Sequence, residues 1–339
     1  MPAPTILVTG GTGFLGAYIL QLLIQEGYAV RATKRQNSPT DMVRAFYHQI
    51  DWVDADVTDI VALEDAFEGI TTVIHCAAMV SFHPKDARKM MQVNVEGTAN
   101  VVNLCLEKKI RKLIHVSSIA ALGRNKDRPH LDESSKWVEG SDNSNYAISK
   151  FRSEQEVWRG YAEGLPVSIV NPAIILGSGF WNAGSAKFFT QVHDGLKFCP
   201  TGSTGFVDVR DVARFIFHLL QSEITGERFI LNAQNISFKH FFQQIAEAIN
   251  KKPPGITVTP LLAELAWRFE WLKEKLLGAD PLVTRESARS SVSNYAYDNK
   301  KSLTVNQFSY TPLEITLRET GKQFIDAQAA GTKACLLPF

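Results

Sequence analysis

A chain of 339 residues is long for one compact unit and short for three, so one large unit carrying a smaller one is expected. With 45% apolar and 21% charged side chains it can bury a sizeable core and does not read as a disordered chain. The 36 basic and 35 acidic residues leave a formal charge of +1, so no global field would draw the molecule to nucleic acid or to a membrane. Cys76, Cys105, Cys199 and Cys335 form no CxxC pair and have no histidine at metal-ligand spacing, so reduced thiols of a cytoplasmic protein and no metal are expected. The uncharged stretch Met1 to Gln25 is broken by four glycines within Gly10 to Gly16, unlike a secretion signal or a membrane span.

Along the chain, short β-rich runs alternate with amphipathic ones. Strands are predicted at Thr5–Thr9, Ala29–Thr33, Gln49–Asp54, Thr72–His75, Lys112–Ser117 and Val167–Asn171. Helices are predicted at Phe14–Glu26, Ile60–Phe67, Lys89–Glu107 and Asn145–Glu163, where apolar residues recur every three or four positions. This rhythm predicts an α/β fold, a doubly wound parallel sheet of the Rossmann kind. After Pro172 the rhythm fails, returns as strand, turn and helix over Phe206–Leu220, and from Phe229 turns helical and aromatic through Phe238–Asn250 and Leu261–Leu277. The expected division is a dinucleotide-binding unit of residues 1–172 and 206–228, a smaller, mainly helical substrate cap of 173–205 and 229–330, and a tail, 331–339. Trp267, Phe269 and Trp271 are candidates for an apolar pocket or for ordinary core.

The strongest local signal is Thr9-Gly-Gly-Thr-Gly-Phe-Leu-Gly16, which ends an apolar strand and opens an amphipathic helix. Gly10 or Gly11 permits a tight turn, Gly13 a close approach to a pyrophosphate, and Gly16 the packing of helix on sheet. Gly10, Thr12, Gly13, Phe14, Leu15 and Gly16 are thus expected to cradle the phosphates at a helix N-terminus. At the end of the second strand an acid would favour NAD(H). The chain reads Val30-Arg-Ala-Thr-Lys-Arg35 instead, and the planar fork of Arg35 suits a 2′-phosphate. NADP(H) is favoured, with NAD(H) the alternative.

Tyr146-Ala-Ile-Ser-Lys150 opens a predicted helix, and the four-residue offset puts both side chains on one face. A phenol with an ordinary pKa of about 10 becomes a useful proton carrier when an ammonium stabilises its phenolate. In His115-Val-Ser-Ser, Ser118 is the residue expected to donate to a substrate oxygen, with Ser117 facing away because side chains alternate along a strand.

These motifs, with Asp56-Val-Thr-Asp59, Val73-Ile-His-Cys-Ala-Ala78, Asn94-Val-Glu-Gly-Thr98 and Asn171-Pro172, resemble the extended short-chain dehydrogenases/reductases of the NAD-dependent epimerase/dehydratase superfamily. The resemblance spans nearly the whole chain. It implies that Asp56 and Val57 flank the adenine, that Ala77 and Ala78 line the cofactor, that Pro172 touches the nicotinamide, and that Asn94 stands behind the active site. Tyr28-Ala-Val-Arg-Ala-Thr-Lys-Arg35 is most similar to dihydroflavonol and cinnamoyl-CoA reductases, in which the arginine accepts the NADP phosphate. Sugar-nucleotide epimerases carry an arginine in an R-D-Y-I-H-V segment where this chain has Thr204-Gly-Phe-Val-Asp-Val209. An alcohol/carbonyl couple on a small or moderately apolar substrate is therefore favoured over an epimerase or dehydratase, and a non-catalytic dinucleotide sensor has no need of all three catalytic side chains. Met79, Ser81, Phe82, Phe180, Trp181 and Phe206 are candidate pocket residues, and a homodimer fits the resemblance.

Overall fold

A computed structural model of the chain describes residues 5–123, 129–140, 143–277 and 284–339. Seven parallel strands form the main sheet, in the spatial order Glu227–Leu231, Val167–Pro172, Lys112–Val116, Thr72–His75, Ile6–Thr9, Val30–Lys34 and Asp51–Asp54. The chain winds outward in both directions from Ile6–Thr9, so the connections diverge between that strand and Thr72–His75. Such a divergence opens a crevice at the carboxyl ends of the strands.

Alternation along the strands builds two cores. Ile6 and Val8 face Leu20, Leu23, Phe215 and Leu219 from the helices Phe14–Gln25 and Val209–Gln221. Leu7, between them in sequence, faces the opposite layer with Leu63, Val101, Val102 and Val157. All six sequence-predicted strands are present within one or two residues. The seventh, Glu227–Leu231, corrects the expectation that the chain turns helical from Phe229. Phe229-Ile-Leu231 is a short, fully buried apolar run, and periodicity does not separate such a run from a buried helix.

A second sheet, ordered Gln234–Ser237, Ser203–Asp208 and Ile174–Leu176, joins the helices Lys187–His193, Phe238–Ala248 and Leu313–Ala330 around a third core. The last residues are docked rather than trailing: the Leu337 amide donates to Tyr18 Oη at 2.8 Å, and Tyr18 in turn donates to the Ser178 carbonyl at 2.8 Å. Among the described residues, no helix is long and apolar enough to cross a membrane, and no group of histidine, cysteine or acidic side chains is arranged to hold a metal. All four cysteines are free.

Candidate active site

The glycine bend leaves the strand Ile6–Thr9 at the divergence point. Gly10 has a left-handed φ of 72°, and a Cβ there would stand 2.9 Å from the backbone of Ala77. The Gly13 amide closes the bend on the Gly10 carbonyl at 3.0 Å, and a Cβ on Gly16 would lie 2.3 Å from that same oxygen. Gly13 caps the helix Phe14–Gln25 without any side-chain cap, which leaves the first amides of that helix available to an anion. The bend therefore fits a pyrophosphate, with Thr12 and Leu15 buried beneath it and Gly13 exposed.

Ala77 is held by a relay that sequence reasoning missed. Its amide donates to Thr9 Oγ1 at 3.3 Å, Thr9 Oγ1 lies 2.7 Å from His75 Nδ1, and His75 Nε2 lies 3.0 Å from Thr98 Oγ1. Because the Thr98 hydroxyl is spent on the Asn94 carbonyl at 2.6 Å, His75 must donate through Nε2 and accept through Nδ1. Burial, with the Lys150 charge nearby, pushes His75 down to about 3, so the imidazole is neutral. A histidine inside an apolar strand gives little sequence signal beyond its parity.

At the second strand end Lys34 is occupied by an ion pair with Asp54, whereas Arg35 is exposed, its backbone closing a turn with Ser38. Asp56 accepts from the Thr58 amide at 3.0 Å and from its hydroxyl at 2.8 Å, which fixes the loop ahead of buried Val57.

The helix Asn145–Ala162, capped by Ser144, carries Tyr146 and Lys150 one turn apart. Tyr146 is half-buried, with Phe82 edge-on at 5.9 Å between ring centroids. Lys150 is buried and donates to the Val116 carbonyl at 2.9 Å, at the end of the strand that leads to Ser118. Burial pushes Lys150 down to about 8, opposed mainly by the charge of Glu154 one turn further on. Ser118 Oγ accepts from the Ala120 amide at 3.1 Å and keeps its proton to donate. Ser117 points the other way, as alternation predicts, and donates to Glu154 at 2.6 Å. That buried carboxylate also receives Asn171 at 2.8 Å and Arg228 at 3.0 Å. Asn171 donates again to the Ser118 carbonyl at 3.0 Å, which seats Pro172 beside the same strand end.

Asn94 lies in a π-turn, Gln92–Glu96, that interrupts the single helix expected over Lys89–Glu107. It accepts from the Met79 amide at 2.7 Å, donates to the Met79 carbonyl at 2.9 Å and to Ser149 Oγ at 2.9 Å. It thereby ties the segment after Ala77 and Ala78 to the helix of Tyr146.

The pocket candidates divide. Met79 and Phe82 stand at the site, and Ser81 is fixed by a bond to Asp86 at 2.6 Å. Phe206 and Trp181 instead lie in the third core, Phe206 stacked on Phe241 at 4.3 Å and Trp181 edge-on to Phe324 at 5.1 Å. Phe180 pairs with Ala334 in an isolated bridge and packs on the first core. Their aromatic faces are used in packing, which a sequence cannot distinguish from lining a pocket. A cavity of about 850 Å³ opens beside the helix of Tyr146, between Asn143, Ser144 and Pro84 on one side and Ala263, Glu286 and Arg289 on the other. Glu286 accepts from the Asn145 amide at 3.2 Å and from its side chain at 2.7 Å, clipping the helix Arg285–Ser291 to the residue before Tyr146.

Residues 6–232 match the family described as NAD dependent epimerase/dehydratase. A Synechocystis sp. protein provisionally named dihydroflavonol 4-reductase is 31% identical over 327 residues, covering 89% of both chains. The anthocyanidin reductase of Arabidopsis thaliana is 29% identical over 280 residues, covering 74% of this chain and 81% of that protein. The crystal structure of gox2253 superposes with a TM-score of 0.82 at 27% identity, covering 97% of this chain and 99% of that one. A UDP-glucose 4-epimerase from Thermotoga maritima, at 19% identity, shares the fold with a TM-score of 0.77, covering 95% and 99%. Glycine bend, strand order and sequence likeness agree, and the chain belongs to the NAD-dependent epimerase/dehydratase family.

Proposed function

We propose that this protein is an NADP(H)-dependent oxidoreductase that interconverts an alcohol and a carbonyl compound. The observation that carries the reading is the helix Asn145–Ala162, which sets a half-buried Tyr146 one turn from a buried Lys150 at the strand end beside the crevice. When bound along the glycine bend, NADPH would supply a hydride from its nicotinamide ring. Tyr146 gives its proton to the substrate carbonyl oxygen and, in the reverse direction, takes one from the alcohol. Lys150 stabilises the phenolate that results, and Ser118 donates to the same oxygen as negative charge gathers on it. Arg35 would hold the 2′-phosphate. The reductase names of the relatives support hydride transfer to an external carbonyl compound, and Arg35 standing where NAD-binding relatives are expected to carry an acid favours NADP(H).

The test is a panel of carbonyl compounds followed at the NADPH absorbance band. Turnover with at least one compound is expected, and Arg35→Asp is expected to raise the KM for NADPH by at least about tenfold while leaving that for NADH nearly unchanged, the loss of one charge-assisted phosphate contact. Equal effects on both cofactors remove the NADP assignment. Purified protein that releases stoichiometric NAD on denaturation, and turns over no carbonyl compound, would favour the epimerase reading.

A further inference from the structure

The helix Pro260–Leu277 carries the aromatic segment singled out in the sequence, and it turns much of that segment away from the molecule. Leu261, Leu265, Phe269 and Leu272 are 71, 56, 68 and 48% exposed. At about 100° of rotation per residue these four and Leu262 fall within roughly one 100° arc, so they form a continuous apolar stripe. Scattered exposed leucines need no explanation, but four of them with a phenylalanine on one helix face do. The edges of the stripe are cationic and amphipathic. Arg268 and Lys275 fall on one edge and Lys273 on the other, with Lys275 lying 4.4 Å over the exposed Trp271 ring. The acids stand further round the helix, behind these cations: Glu264 is bound to Arg268 and Arg289, and Glu270 lies 3.8 Å from Lys273. Just before the helix, the paired residues Ile256 and Phe198 are 47 and 55% exposed, and Lys197, Lys251 and Lys252 are exposed beside them in sequence.

We propose that this helix docks in the plane of an anionic lipid bilayer, with Leu261, Leu265, Phe269 and Leu272 among the acyl chains and its lysines on the headgroups. An apolar stripe whose nearest flanking residues are Arg268, Lys275 and Lys273 is the pattern of an interfacial helix, and it requires neither a spanning segment nor a net positive protein. The sequence expectation of no membrane partner rested on those two criteria alone. The inner face of the same helix contributes Pro260, Ala263 and Glu264 to the cavity beside Tyr146, so the docked helix separates bilayer from site. Resting on the oxidoreductase reading, this makes the preferred substrate an amphiphilic carbonyl compound that partitions into membranes.

The test is flotation of the full-length protein with vesicles of phosphatidylcholine alone or of equimolar phosphatidylcholine and phosphatidylglycerol. Binding to the mixed vesicles is expected at least about tenfold above that to neutral ones, falling with salt. Leu265→Ser with Phe269→Ser is expected to abolish flotation with the circular dichroism and the thermal midpoint unchanged, because both side chains are exposed; Lys273→Glu with Lys275→Glu is expected to erase the anionic preference. Absence of flotation with either vesicle overturns the proposal. So does a dimer in light scattering that the Leu265→Ser, Phe269→Ser variant disperses, since the stripe would then meet a second copy. Flotation does not depend on turnover, so its failure and the failure of the oxidoreductase reading are separately visible.

Discussion

Lys150 sits where two effects oppose each other. Burial lowers its pKa to about 8, while Glu154 restrains the fall. The working form in the proposed mechanism is the ammonium, so kcat/KM is expected to be level on the acid side and to fall as pH rises through about 8 in the free enzyme. The stability linkage runs the other way. The unfolded chain holds this proton more tightly, so the lysine contributes increasing stability from about 8 up to the unfolded lysine range. A profile that stays level through that range would assign the alkaline limb to no buried lysine. Lys150→Arg, if active, is expected to lose the limb because arginine keeps its proton. The two adjacent serines give a second contrast. Ser118→Ala is expected to slow turnover by about 10²-fold with little loss of stability, as for a lost oxyanion donor. Ser117→Ala strips one donor from the buried Glu154 and is expected to cost about 1–3 kcal/mol in urea unfolding with a small effect on rate. The opposite ranking would reverse their assigned roles. Alternation made this contrast legible from the sequence. The network joining Glu154 to Asn171 and Arg228 was not legible, although Asn171 itself was, because the network is assembled from three elements distant in sequence and only the fold brings them together.

Among the elements, those with a strong period were the readable ones. Phe14–Gln25 and Asn145–Ala162 announce themselves by spacing, and the strands before them by apolar runs bounded by turns. The π-turn Gln92–Glu96 left no trace in the apolar pattern. It carries Asn94, which makes three bonds to Met79 and Ser149, and such widened turns are frequent at functional sites. The helix Arg285–Ser291 was equally silent about its target, since the clip from Glu286 to Asn145 crosses from one end of the sequence to its middle. Glu286→Ala is expected to loosen that wall of the cavity and raise the substrate KM roughly tenfold, the worth of a charge-assisted hydrogen bond, with NADPH affinity unchanged. Cofactor titration and substrate saturation measured side by side check this, and a parallel loss of both affinities would place the clip in the cofactor site instead.

For the whole molecule, the doubly wound sheet was readable from the alternation of elements, and so was the position of the crevice, because strands diverging from Ile6–Thr9 leave only one place for it. The seventh strand and the small second sheet were obscured by short runs, and the use of Phe206 and Trp181 as core depended on helices far along the chain, Phe238–Ala248 and Leu313–Ala330. What the assembled fold adds to the motifs is convergence: the glycine bend, Ala77, Ser118 and the Tyr146 helix all arrive at one edge of one sheet. The proposal that Tyr146 moves the proton is tested most directly by comparing the native protein with Tyr146→Phe in NADPH-dependent reduction of an active carbonyl substrate, alongside NADPH binding by fluorescence titration. The variant is expected to bind NADPH as the native protein does and to turn over at least about 10²-fold more slowly. Undiminished turnover in the variant, with the cofactor bound, would contradict the assignment.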